Sequence, residues 1–184
     1  MNLVLGFVPF ILFATLMRLS DDLALWIAFA AAFTLGMRSF LDTRVLKTID
    51  AGSTALFGLL ALYKGFIQPS LSSGVVLLAV NGGLLAVMLA SLLLHEPFTL
   101  QYSREQATPE TWQSPAFLRA NYRLTGAWVA ALAVMTVADT AATLTSTISS
   151  STAEAVGLAA LAGALIFTLR YPVTARHGGD SAPD

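Results

Sequence analysis

Three polar side chains interrupt long apolar runs: Lys64 in "LLALYKGFI", Asn81 in "VLLAVNGGLLAV" and Asp139 in "AVMTVADTAAT". An ammonium, a carboxamide and a carboxylate at one depth could pair and line a small hydrated pocket for a solute. At 1.5 Å per helical residue, Lys64 lies about 20 Å into its run and Asp139 about 22 Å into its own. Asn81 lies about 9 Å from the opposite end of its run, which puts it at a similar level. An unpaired charge there costs roughly 2.5–3.5 kcal/mol on insertion scales, so each charge needs a partner or water. The plainer alternative has Lys64 snorkelling to the headgroups while Asp139 sits at the mouth of its helix.

The other concentration of chemistry is "HEPFTLQYSREQATPETWQSP", residues 95–115. His95, Glu96, Arg104, Glu105 and Glu110 are acid–base groups, but His95 and Glu96 are adjacent, which is not a metal-ligand spacing. There is no nucleophile elbow or phosphate loop. The chain has no cysteine, which excludes thiolate catalysis and disulfides. No catalytic residue, metal ligand or cofactor is assigned, and the expectation is a protein that is not an enzyme. The insert reads instead as a contact surface carried by His95, Glu96, Pro97, Gln101, Tyr102, Arg104, Glu105, Trp112, Arg119 and Arg123. Its aromatics Phe98, Tyr102, Trp112, Phe117 and Tyr122 are of the kind that settle at the membrane–water boundary. Ser114-Pro115 looks like a capped helix start, from which "AFLRANYRL" would run as an interfacial helix into the fifth span. Arg119 and Arg123, four apart, would face anionic headgroups.

The elements that must position these groups are membrane helices. Of 184 residues 56% are hydrophobic and 11% charged, with mean hydropathy +0.72, whereas a soluble domain carries about a quarter charged residues. Six apolar stretches approach the ~30 Å hydrocarbon thickness: Leu3–Leu19, Leu23–Leu41, Ala51–Ile67, Val75–Leu94, Leu124–Leu144 and Ala155–Tyr171. The first lacks a basic n-region and a small-residue cleavage pattern, so it is read as a span rather than a signal peptide. The expected fold is an all-α polytopic bundle of about six transmembrane helices over residues 1–171, with a disordered cytoplasmic tail over 172–184. Of the ten lysines and arginines, eight fall on one side of such a topology; only Arg18 and Lys64 fall on the other. That bias puts both termini in the cytoplasm and the insert between the fourth and fifth helices on the same side. Small residues at four-residue spacing (Gly82, Ala86, Ala90; Gly126, Ala130; Ala155, Ala159, Gly163) predict close helix contacts, and a homo-oligomer is compatible with them. The run "TAATLTSTISSSTA" reads as an uncharged connector. Without a basic stripe, nucleic acid is not an expected partner; the bilayer is.

The opening "LGFVPFILFATLMRLSDDLALWIA" resembles the start of the intracellular septation protein A (YciB-type) family. The likeness lies in an apolar helix with an early Phe-x-Pro, a cationic residue and a short acidic turn. It extends through Pro97, Gln101, Trp112, Asn121 and Trp128 to "LIFTLRY". Asp139 departs from it, standing where an asparagine is more usual. The resemblance implies a bacterial inner-membrane protein of cell-envelope or septum synthesis, acting through contacts with other envelope or division proteins, with no catalytic residues to carry over. The alternative class is a small transporter or channel with its polar site at Lys64, Asn81 and Asp139. A third, an enzyme on lipid-like substrates, needs His95, Glu96, Arg104 and Glu105 to converge. A cavity reaching Asp139 favours transport, convergence on a lipid-sized groove favours catalysis, and a flat aromatic face favours an interaction protein.

Overall fold

The computed structural model describes residues 3–171, and all their regular structure is helical. The tail expected to be disordered, 172–184, lies outside the described residues. Four helices are long and apolar enough to cross a bilayer: α2 (Asp21–Thr43), α4 (Ser73–Leu93), α6 (Pro115–Thr143) and α7 (Ser150–Arg170). Two are shorter. Helix α1 (Leu3–Leu16) has 14 residues, with Pro9 inside it. Helix α3 (Thr48–Leu62) has 15, but a five-residue π-helical turn, Tyr63–Ile67, extends it without a break. Helix α5 (Phe98–Arg104) and a 3-10 turn at Pro109–Thr111 occupy the insert.

The ends of these helices follow from local chemistry. Ser20, Ser114 and Ser149 accept from the backbone N–H three residues on, capping α2, α6 and α7. Asp21 and Asp22 sit at the positive end of the α2 dipole. Helix α4 ends on a Schellman-type turn: His95 adopts φ 59°, its N–H reaches Leu92 O, and the Glu96 N–H reaches Ser91 O. The buried Ser91 hydroxyl then accepts from Phe98 N at 3.2 Å, setting the start of α5.

The long helices pack as neighbours in the order α1, α2, α3, α4, α6, α7. Helix α1 closes back towards α6 through rings: Phe7 stacks on Trp128 at 4.9 Å between centroids and meets Phe98 edge-on. Phe10 and Phe13 stand against Phe57 of α3. Polar contacts gather the connections at two opposite ends. At one, Arg18 meets Glu154, Ser73 donates to Asp21, and Lys64 lies 3.7 Å from Asp22. At the other, α5 docks on the starts of α3 and α6.

Two expectations change here. The stripe Ala155, Ala159 and Gly163 is exposed, and a Cβ on Gly126 or Gly163 would meet nothing within 4 Å. Close approach uses another register: Gly52 against Val87, Gly58 against Phe29, Gly83 against Leu56 and Gly157 against Met135. Four-residue spacing marks a face, but it does not say which face has a neighbour. The segment after Pro115 does run into the fifth span as expected, but one of its faces is buried rather than lying at the boundary. It is the first third of an unbroken 29-residue α6, and Phe117, Ala120 and Asn121 are buried in the bundle while Arg119 and Arg123 stay exposed.

Candidate functional site

Asn81 of α4 and Asp139 of α6 meet inside the bundle: Nδ2 of Asn81 donates to Oδ2 of Asp139 at 2.7 Å, and both residues are buried. Lys64 does not join them. Its Nζ lies 3.7 Å from Asp22 Oδ1 and 3.4 Å from the carbonyl oxygens of Pro69 and Leu71. The π-helical turn that carries Lys64 directs its ammonium into the connection to α4, so the three-membered polar level reduces to a pair. The side chain is nearly covered, 7% exposed, so it is held by protein groups rather than snorkelling free.

The pair opens on a groove. Helices α1 and α7 do not pack along one another, and the space between them is floored by α4 and α6. Its deep part, about 360 Å³, is lined by Phe10, Leu84, Trp128, Leu132 and Leu165, with Asn81 as its polar side chain. A wider part, about 530 Å³, adjoins it through Ala14, Leu77, Met135, Leu158 and Leu161, and reaches Asp139, Arg18 and Glu154. Ligand sites span roughly 300–1,000 Å³ and combine apolar walls with a few polar groups. This groove has that make-up. Asp139 stands one turn before the end of α6, and Trp128 lies three turns further in, about 16 Å at 1.5 Å per residue.

Arg18 and Glu154 close the wide end with a 2.6 Å ion pair joining the α1–α2 turn to α7. In the sequence Arg18 reads as a topology charge and as the cationic residue of the family likeness, and nothing links it to Glu154. The one available signal was that Glu154 is the sole charged residue between Asp139 and Arg170. At the inner end Trp128 donates from Nε1 to Thr168 Oγ1 at 3.0 Å, which fixes its ring across the floor.

The insert folds inward. Phe98, Thr99, Leu100 and Tyr102 of α5 are buried, so Phe98, Tyr102 and Phe117 are core rather than boundary aromatics; Trp112 and Tyr122 are exposed. Tyr102 donates to Asp50 Oδ1 at 3.3 Å, and Lys47 stands over its ring at 4.6 Å. A Cβ on Gly6 would come within 2.7 Å of the Tyr102 hydroxyl, so glycine there makes room for it. Burial, then the charge of Asp50, push the Tyr102 phenol far above its ordinary value. Lys47, itself 2% exposed, pairs with Glu105 at 2.6 Å. Partial burial works to raise the Glu105 pKa and the adjacent Lys47 ammonium to lower it, and the carboxyl lies below its ordinary value.

Gln101 supplies a cap in trans. Lys47 at the N-cap of α3 makes no capping bond; instead Gln101 Oε1 accepts from Thr48 N and its Nε2 donates to Thr48 Oγ1, both at 2.8 Å. Asn121 does the same for the α5–α6 seam: its Oδ1 accepts from Ser103 and its carbonyl from Thr99. Trp112 donates to the carbonyls of Arg104 and Ala107, holding the loop. Of the candidate surface, then, Pro97, Gln101 and Tyr102 serve the protein's own packing. His95 and Glu96 remain exposed, as do Trp112, Arg119 and Arg123. Arg104 pairs with Glu96 at 3.3 Å, while Glu105 turns to Lys47, and His95 forms the helix stop. Among the described residues no three His, Cys, Asp or Glu are grouped to hold a metal.

No protein family matches the chain, and neither a curated protein nor a solved structure is found to be similar to it.

Proposed function

We propose that this chain is a six-span bacterial inner-membrane protein with both termini cytoplasmic, which takes an amphipathic small molecule from the bilayer into the groove between α1 and α7. The role is binding or carriage, without covalent chemistry. One observation carries it: two adjoining, mainly apolar hollows share walls at Ala14, Leu77, Met135, Leu158 and Leu161, the inner one lined by Trp128 and the outer one by a buried carboxylate, Asp139. Of the readings open from the sequence, a cavity reaching Asp139 favours the transporter class. The π-helical turn brings the α3 segment to twenty residues, long enough for a span, and the reading takes the shorter, apolar α1 as the sixth. The lysine and arginine bias sets the orientation. A role in envelope or septum assembly rests on the sequence resemblance alone, and three of its surface candidates, Pro97, Gln101 and Tyr102, are spent on internal packing.

The test uses Trp128 as a reporter. In a Trp26→Phe/Trp112→Phe background, vesicle-reconstituted protein is titrated with a brominated single-chain amphiphile. Saturable quenching that disappears in Ala14→Phe, which fills both parts of the groove, is the expected result. Quenching that rises linearly and ignores Ala14→Phe overturns the reading. Reporter fusions at residue 105 and at the C-terminus test the orientation, and an external signal at either overturns it.

A further inference from the structure

We infer that the groove selects amphiphiles with a cationic amine head, held by Asp139 near the outer end, with the apolar chain lying towards Trp128. The inference rests on the groove being a binding site and adds the chemistry of its ligand. Asp139 is 5% exposed, and Asn81 is its hydrogen-bond partner among the described residues. An amide donor orients a carboxylate but does not neutralise it. The two cations at this end are already committed, Arg18 to Glu154 and Lys64 to Asp22. The count at this end is therefore two cations, Arg18 and Lys64, against four carboxylates, Asp21, Asp22, Asp139 and Glu154. A buried carboxylate that lines an open cavity without a cation of its own is matched by a ligand that brings one.

The shape agrees with the charge. From Asp139 inward the walls are almost wholly aliphatic and aromatic, and the polar side chain in the deep part, Asn81, is turned to Asp139. A second charged group on the ligand would meet no partner there, which favours one head and one apolar tail. The entrance can open cheaply. The Arg18 and Glu154 side chains are 74% and 56% exposed, and solvent-exposed pairs of this kind contribute only about 0–1 kcal/mol.

The test reconstitutes the single-Trp128 protein in zwitterionic phosphatidylcholine vesicles. Two probes share one brominated chain, one with a trimethylammonium head and one with a sulfate head. Half-saturation for the cationic probe is expected at a concentration at least about tenfold lower, equivalent to about 1.4 kcal/mol. Asp139→Asn, which keeps size and an acceptor for Asn81, should bring the two probes within about twofold. Asp139→Glu should restore the preference, which separates loss of charge from loss of fold. Equal, saturable, Ala14→Phe-sensitive quenching by both heads, unchanged in Asp139→Asn, overturns the head selectivity and leaves the groove reading standing. Quenching that is neither saturable nor sensitive to Ala14→Phe overturns both.

Discussion

Asn81 donates to Asp139 at 2.7 Å across the interface of α4 and α6, 58 residues apart in the chain. The bond joins two of the most closely packed helices and sets the only polar contact between them at this depth among the described residues. It also defines how the site responds to change, because each side chain satisfies a group that burial would otherwise penalise.

Removing Asn81 alone strands a buried carboxylate. Asn81→Leu is expected to destabilise the detergent-solubilised protein by about 1–3 kcal/mol, the usual cost of orphaning a buried polar group. The double variant Asn81→Leu/Asp139→Leu should recover most of that loss. Thermal unfolding of both checks it; a double variant as unstable as the single one contradicts the pairing. Exchanging Lys64 and Asp139 for one another is expected to give no rescue over the single changes, since Lys64 faces Asp22.

Gln101 caps α3 from a different helix. Gln101→Ala removes two hydrogen bonds to Thr48, each worth about 1 kcal/mol net. A loss of about 1–2 kcal/mol follows, with hydrogen exchange rising first at the α3 N-terminus. Uniform exchange across the bundle would argue against a capping role.

His95 holds a left-handed conformation, φ 59°, which costs a side-chain-bearing residue about 1–2 kcal/mol. Glycine relieves that strain and loses about 0.5–1 kcal/mol to the freer unfolded chain. His95→Gly is therefore expected to stabilise by about 0.5–1 kcal/mol, and His95→Val to destabilise. Measured melting temperatures in the opposite order would refute the helix-stop assignment.

The Lys47–Glu105 pair gives a pH dependence. The Glu105 carboxyl is held below its ordinary value in the folded protein. Its contribution is thus fully present above the unfolded pKa, about 4.3, and is lost as pH falls through the lower folded value. Melting temperature should fall on acidification below about pH 5, and Glu105→Gln should flatten that part of the profile. An unchanged slope in the variant would remove Glu105 as the cause.

Much of the helical layout was legible in the sequence because apolar length and end signals are local. The six apolar stretches match α1, α2, α3 with its π turn, α4, α6 and α7 to within a few residues, except where α6 begins. Its start at Pro115 was read correctly from Ser114-Pro115. Its run into the fifth span is legible too, but the burial of Phe117 and Asn121 is not, because only the packed α5 gives them a surface to join. The same holds for Tyr102, whose place under α1 depends on Gly6 some hundred positions away.

Depth arithmetic put Lys64, Asn81 and Asp139 at one level, and level was not enough. Rise per residue fixes height along a helix, while partner choice depends on rotation about the axis and on which helices adjoin. Lys64 sits on a π-helical turn, where one extra residue per turn changes the direction of its side chain. Asn81 and Asp139 are joined because α4 packs on α6. Composition and periodicity alone determined that the chain is built of apolar helices and where they start and stop, since those properties are summed over neighbours in sequence. The groove, its carboxylate and the Arg18–Glu154 closure came only from the tertiary arrangement, because each joins helices whose adjacency no local pattern records.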